Sequence, residues 1–187
     1  HFMVFYFMDR TDVEKAVKAC DEARPVFCLI RIDNVPEVTA DLTDVERSAL
    51  LSDVTEKVLS SFNAKEGFIK QYSTNDFVAC ISHKALAEMM ESNFEILDAV
   101  RAIHTVNRIP VTLSIGIVQS SDSFMKQFEE AQVSLDLALG RGGDQAIVRL
   151  GKEVKAFGGK SPTSVSSTRV RVRVVAQALK EIIEDAD

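Results

Sequence analysis

The sequence predicts an α+β domain in the ferredoxin-like β-α-β-β-α-β order, with an added helix and a C-terminal hairpin. Three observations carry that expectation. Residues 26–30 (Val-Phe-Cys-Leu-Ile) form an apolar run long enough for a buried central strand. A short polar turn, Ser73-Thr74-Asn75-Asp76, joins two apolar runs as a hairpin would. Residues 111–118 alternate and are rich in β-branched side chains, directly after a long amphipathic pattern.

The elements follow in order. Residues 3–8 (Met-Val-Phe-Tyr-Phe-Met) read as a strand, which assigns 1–9 to the end of an upstream domain. Val13, Ala16, Val17, Cys20 and Ala23 then recur at helical spacing until Pro25, so 10–25 is a connecting helix whose single stripe is compatible with a homodimer. The first strand of the main body continues through Arg31-Ile32-Asp33 and closes at Asn34 and Pro36. After a polar loop, Val45, Leu50, Leu51, Val54, Val58 and Leu59 form a helical stripe, with Thr43 and Glu46 at capping-box spacing. The hairpin pairs residues 67–72 with 77–81. One long helix is expected over 84–106, through Leu86, Met89, Phe94, Leu97, Val100 and Ile103. A further helix over 123–139 stops at Gly140 and Gly142-Gly143, and strands at 146–150 and 153–157 form the closing hairpin. The main body is thus 26–159. Residues 160–168 have a linker composition, and in 169–187 Val174, Val175, Leu179, Ile182 and Ile183 favour a helix whose apolar face has no partner nearby in sequence.

Bulk composition excludes some function classes. The 187 residues carry a formal charge of −6, which argues against nucleic acid as a partner, since a grip on phosphates needs clustered Lys and Arg. The three cysteines, Cys20, Cys28 and Cys80, sit in apolar or helical runs and read as reduced thiols, which places the chain on a cytoplasmic face. No apolar run approaches the ~20 residues of a spanning helix, and residues 1–8 lack the flanks of a signal peptide.

Over residues 26–150 the chain resembles the GGDEF family, the diguanylate cyclase palm. Residues 111–117 (Val-Thr-Leu-Ser-Ile-Gly-Ile) look like its T-x-S-I-G stretch, and Ala138 to Gly142 like its A-K-x-x-G segment. Gln71-Tyr72-Ser73-Thr74-Asn75-Asp76-Phe77 stands where R-Y-G-G-D-E-F would be. The signature is altered. Ser73 and Thr74 replace the glycines, Asn75 the first acidic residue and Asp76 the second, while Phe77 is kept. The D-x-D of the first strand becomes Arg31-Ile32-Asp33, so a guanidinium stands at the first metal-binding position. Joining two nucleoside triphosphates requires divalent metals held by carboxylates on two strands, and a cation there repels them. The resemblance therefore implies a catalytically degenerate domain that is not a diguanylate cyclase. Its vestigial signature is Ser73, Thr74, Asn75, Asp76 and Phe77. Its candidate nucleotide-binding residues are Arg31, Ile32, Asp33, Asn34 and Asp76, with no metal expected unless Asp33 and Asp76 support a weak magnesium-dependent ATPase using ATP or GTP.

Two other motifs depart from the family. The basic segment has Leu139 at its lysine position and Arg141 two residues early, and the inhibitory R-x-x-D reads Ala64-Lys65-Glu66-Gly67. A strand ending Phe-Met-Asp, the altered signature and Thr-Arg-Val-Arg-x-Arg-Val near the C-terminus together are similar to membrane-bound cyclic di-AMP phosphodiesterases of Gram-positive bacteria. There a PAS domain precedes the altered GGDEF domain and a DHH/DHHA1 module follows, so 1–9 would end the PAS domain and 169–187 would lead into the DHH module. The resemblance implies a regulatory, nucleotide-sensing or dimerisation role, or a purely structural one, in a parent anchored in the membrane. The same positions suggest that Arg31 takes over the missing metal's charge and pairs with Asp76. Gly142-Gly143-Asp144 reads as a glycine helix stop, and His83 and His104 as capping or solvated histidines.

Overall fold

The computed structural model describes residues 10–65, 67–119 and 123–158. The strand expected at 3–8, the linker at 160–168 and the helix at 169–187 lie outside the described residues. After helix α1 (Thr11–Glu22), the body runs β1 (Pro25–Ile32), α2 (Val35–Thr39), α3 (Asp44–Asn63), β2 (Phe68–Gln71), β3 (Asp76–Ser82), α4 (His83–Glu91), α5 (Glu95–Arg101), β4 (Leu113–Gln119), α6 (Phe124–Gly140), β5 (Gln145–Leu150) and β6 (Glu153–Gly158).

The six strands form one sheet in the order β2-β3-β1-β4-β5-β6. β1 is central and antiparallel to both β3 and β4, whereas β4 and β5 are parallel. That parallel step needs a crossover, which α6 supplies. One face of the sheet buries Cys28, Ile30, Phe77, Ala79, Ile115 and Val148 in a core that takes in side chains of α3, α4 and α5. The other face meets α6 through Leu29, Val118, Ala131 and Leu135. At Gly116 helix and strand touch backbone to backbone: a Cβ there would lie 2.3 Å from the Ala131 carbonyl oxygen and 2.4 Å from the Leu135 nitrogen. The predicted capping box opens α3, with Thr43 and Glu46 each bonding the other's backbone.

Two expectations are corrected. The single helix over 84–106 is two helices, separated by Asn93 and Phe94 at positive φ (51° and 55°). Asn tolerates the left-handed region, and the break lets Phe94 turn inward to pack on Phe157, with ring centroids 5.1 Å apart. The polar loop after β1 contains a short helix, α2, which starts on Val35-Pro36 and buries Val38 and Thr39.

Candidate functional site

The ends of β1, β3 and β4 meet at one edge of the sheet, with Arg31 opposite Asp76 on one side and Ser114 on the other. Arg31 donates from Nε to Asp76 Oδ1 at 2.6 Å. Their side chains are 36% and 14% exposed, so the pair is partly desolvated. Burial works against the guanidinium, but the bond and charge of Asp76, helped by Tyr72 and Asp136, hold its pKa above the ordinary value. Residues 72–76 form a closed turn: Tyr72 and Ser73 donate their amides to the Asp76 carbonyl, and Gln71 Nε2 donates to the Thr74 carbonyl. Asn75 offers its carbonyl to the Ile32 amide at 2.9 Å. Ile32 and Phe77 are core residues, 1% and 0% exposed.

Asp33 turns away from this pair. Its Oδ2 accepts the Asp144 amide at 3.0 Å, while its Oδ1 is buried without a hydrogen-bond partner, as is Ser114 Oγ. Burial pushes the Asp33 carboxyl up to about 6, against the opposing pull of the Asp144 amide and the nearby Ser114 and Thr112 hydroxyls. Asn34 is a clamp: its Oδ1 accepts the Thr112 amide at 3.0 Å and its Nδ2 donates to the Pro110 carbonyl at 2.8 Å.

Sequence reasoning missed what Asp33 holds. Gly142-Gly143 does end α6, with the Gly143 amide donating to the Ala138 carbonyl at 2.9 Å. Beyond that role, Gly143 at φ 76° lies so close to the residue that follows β1 that a Cβ would sit 2.7 Å from Asp33 Oδ2. Asp144, at φ 57° and 1% exposed, binds Arg101 of α5 through Nη2 at 2.7 and 2.8 Å and Nε at 3.1 Å. Arg101 also bonds Asp98, and the Asp144 bonds come first in keeping its pKa above the ordinary range. The available signal is an acidic residue directly after two glycines, a pattern that by itself predicts a turn and no more. His83 donates its amide to the Arg24 carbonyl and bonds Gln119 through Nδ1 at 2.8 Å.

These residues do not fit a divalent metal. Asp76 is engaged by a guanidinium, Asp33 points into the turn before β5, and Arg31 adds a positive charge beside the carboxylate that a cation would need. Among the described residues no group of three or more His, Cys, Asp or Glu is arranged to share an ion.

A family model described as "Cyclic-di-AMP phosphodiesterase GdpP-like, GGDEF domain" matches residues 30–156. The chain belongs to that family. It is 37% identical over 185 residues to the cyclic-di-AMP phosphodiesterase PdeA of Listeria monocytogenes and 39% identical over 185 residues to GdpP of Bacillus subtilis. Each match takes in 98% of this chain but 28% of the relative, so the chain spans under a third of the length of these proteins. Among solved structures it is similar to the active GGEEF domain of a diguanylate cyclase from Vibrio cholerae, with TM-score 0.57 and 12% identity over 75% of this chain and 90% of that one. The FimX GGDEF domain from Pseudomonas aeruginosa gives TM-score 0.56 and 18% identity over 75% and 93%. At those identities the likeness concerns the fold, and it bears out the α+β palm expected from the sequence. Among the described residues no helix is long and apolar enough to cross a membrane.

Proposed function

We propose that this chain is a catalytically silent GGDEF-type domain that regulates a larger cyclic di-AMP phosphodiesterase, sensing a nucleotide without joining two of them. In that parent, anchored in the membrane, it works on the cytoplasmic face between a PAS domain and a DHH/DHHA1 module. The observation that carries the reading is the Arg31–Asp76 ion pair at 2.6 Å. It neutralises from within the protein the carboxylate that a metal would need. The guanidinium keeps one further capacity: its Nη groups have no hydrogen bond to the described residues, and Arg31 is half-buried beside Tyr72. A planar cation held by one carboxylate suits a phosphate oxygen without an intervening metal.

The test combines turnover and binding. Incubated with GTP and Mg²⁺ or Mn²⁺, the purified chain should form no cyclic or linear dinucleotide, and product formation would overturn the proposal. Calorimetry with ATP, GTP and cyclic dinucleotides should find binding that is indifferent to Mg²⁺ and weakened about tenfold by Arg31→Ala, the loss of one charge-assisted contact. Absence of any binding would leave a purely structural module. Magnesium-dependent phosphate release abolished by Asp76→Ala would favour the ATPase alternative.

A further inference from the structure

α6 covers only half of its side of the sheet. It packs on β4, β1 and β5, and its main contacts stop short of β3 and β2. Register identifies the side chains left open. Phe27 meets Phe128 of α6 ring to ring at 6.2 Å, so it lies on the helix side. Directly opposite residues of antiparallel strands share a side, and Phe27 faces Cys80, which in turn faces Phe68. By the same rule Val78, packed against the α6 cluster, brings Lys70 to that side. Tyr72 takes the next same-side position, within electrostatic reach of Asp76 and Arg31.

The open half is a broad apolar patch. Phe68 is 62% and Tyr72 53% exposed, while on the facing flank of α6 Met125 is 68% and Phe128 41% exposed. Large side chains of this kind present about 150–250 Å² each, so these four leave on the order of 450 Å² of apolar surface in water. A standard interface buries about 800 Å² per partner, roughly 57% of it apolar, which is about 460 Å². The patch is therefore the size of one side of a stable dimer.

Its charges say which partner fits. Lys70 on the β2 bank and Glu129 on α6 are both exposed and take part in no ion pair among the described residues. Glu129 follows Met125 by four residues, so the two share one flank of the helix. A two-fold axis lying in the patch, along the strands, sets the β2 bank of each copy against the α6 bank of the other. Phe68 then meets Phe128, and Lys70 meets Glu129, twice over. An isologous pair requires both complements on a single surface, and this surface carries them.

We infer that two copies of this chain associate through this half-covered face, each laying α6 over β2 and β3 of the other. The axis keeps the strand ends together, so the two Arg31–Asp76 pairs lie at the same end of the dimer. The contact itself is independent of whether either pair holds a nucleotide.

Sedimentation of the full 187-residue chain decides this. At about 100 µM it should run at twice its 20.7 kDa mass and dissociate on dilution. Phe68→Glu should weaken association at least about tenfold with the far-UV spectrum unchanged, because the side chain it replaces is exposed. Lys70→Glu and Glu129→Lys should each weaken it about tenfold, and both together on one chain should restore it to within about threefold. Val13→Asp with Val17→Asp, on the bare stripe of α1, should leave it intact. A chain that stays monomeric at about 100 µM would overturn the proposal and leave the face to a different protein. A dimer indifferent to Phe68→Glu, or charge reversals that do not rescue each other, would overturn it too, and loss through the α1 variant alone would assign the contact to that helix instead.

Discussion

Asp33→Asn separates a buried anchor from a ligand. In the folded chain the Asp33 carboxylate accepts the Asp144 amide through Oδ2 and leaves Oδ1 buried and unpartnered beside Ser114 Oγ. Its carboxyl is carried from an ordinary 3.8 to about 6, burial being the main cause. At about 1.4 kcal/mol per pH unit, the ionised form costs the fold roughly 3 kcal/mol at neutral pH. The sign follows from which state holds the proton. Folded Asp33 binds it more tightly than unfolded Asp33, so the stability it confers is complete below the unfolded value and is lost as pH rises through about 6. The substituted amide keeps an acceptor for the Asp144 N–H, brings a donor for Ser114 Oγ and carries no charge. The variant should therefore exceed the unmodified chain at pH 7 by roughly 1–3 kcal/mol, with the advantage vanishing near pH 4. Urea denaturation of both chains between pH 4 and pH 8 measures this, because the other titrating groups cancel in the difference. A variant that is less stable than the unmodified chain at pH 7 would refute the reasoning.

Two other perturbations test the frame of the site. Arg31→Ala should lower stability by about 1–2 kcal/mol: the pair is partly solvent-screened, but its loss strands a carboxylate only 14% exposed. Adding Asp76→Ala should recover part of the loss, and an unchanged melting temperature for the single variant would count against the pair's structural role. Gly116→Ala should cost about 3 kcal/mol or more, because the new methyl group meets backbone atoms at 2.3 and 2.4 Å that cannot rotate aside. Calorimetric melting checks it, and a native-like transition would mean that α6 can lift off β4.

Much of the fold was legible because its strands alternate or run fully apolar, and because Thr43 and Glu46 announce the start of α3. The break between α4 and α5 was not. Ser92 and Asn93 are each tolerable within a helix, and the inward turn of Phe94 is held by the core it enters and by the distant Phe157. α2 is five residues long, too short for a period to emerge. At the site, Arg31 and Asp76 could be matched because both fall on positions of one recognised pattern. The direction of Asp33 could not be foreseen, since its partner lies 111 residues away in a turn whose shape depends on two glycines. Asp144 and Arg101 share that reason: no local pattern joins residue 101 to residue 144.

Helix α1 differs from every other described helix in having no buried residue, with Val13 57% and Val17 64% exposed. Twelve residues fall at or below the length at which a helix persists unaided in water. With that stripe bare its coiling has little to lean on, and the same twelve residues can serve as a stiff shaft when the stripe is covered or as a soft tether when it is not. Just past the helix, the Arg24 carbonyl accepts the His83 amide at 2.8 Å, so the end of that shaft is tied to the start of α4 at the very point where the chain enters β1.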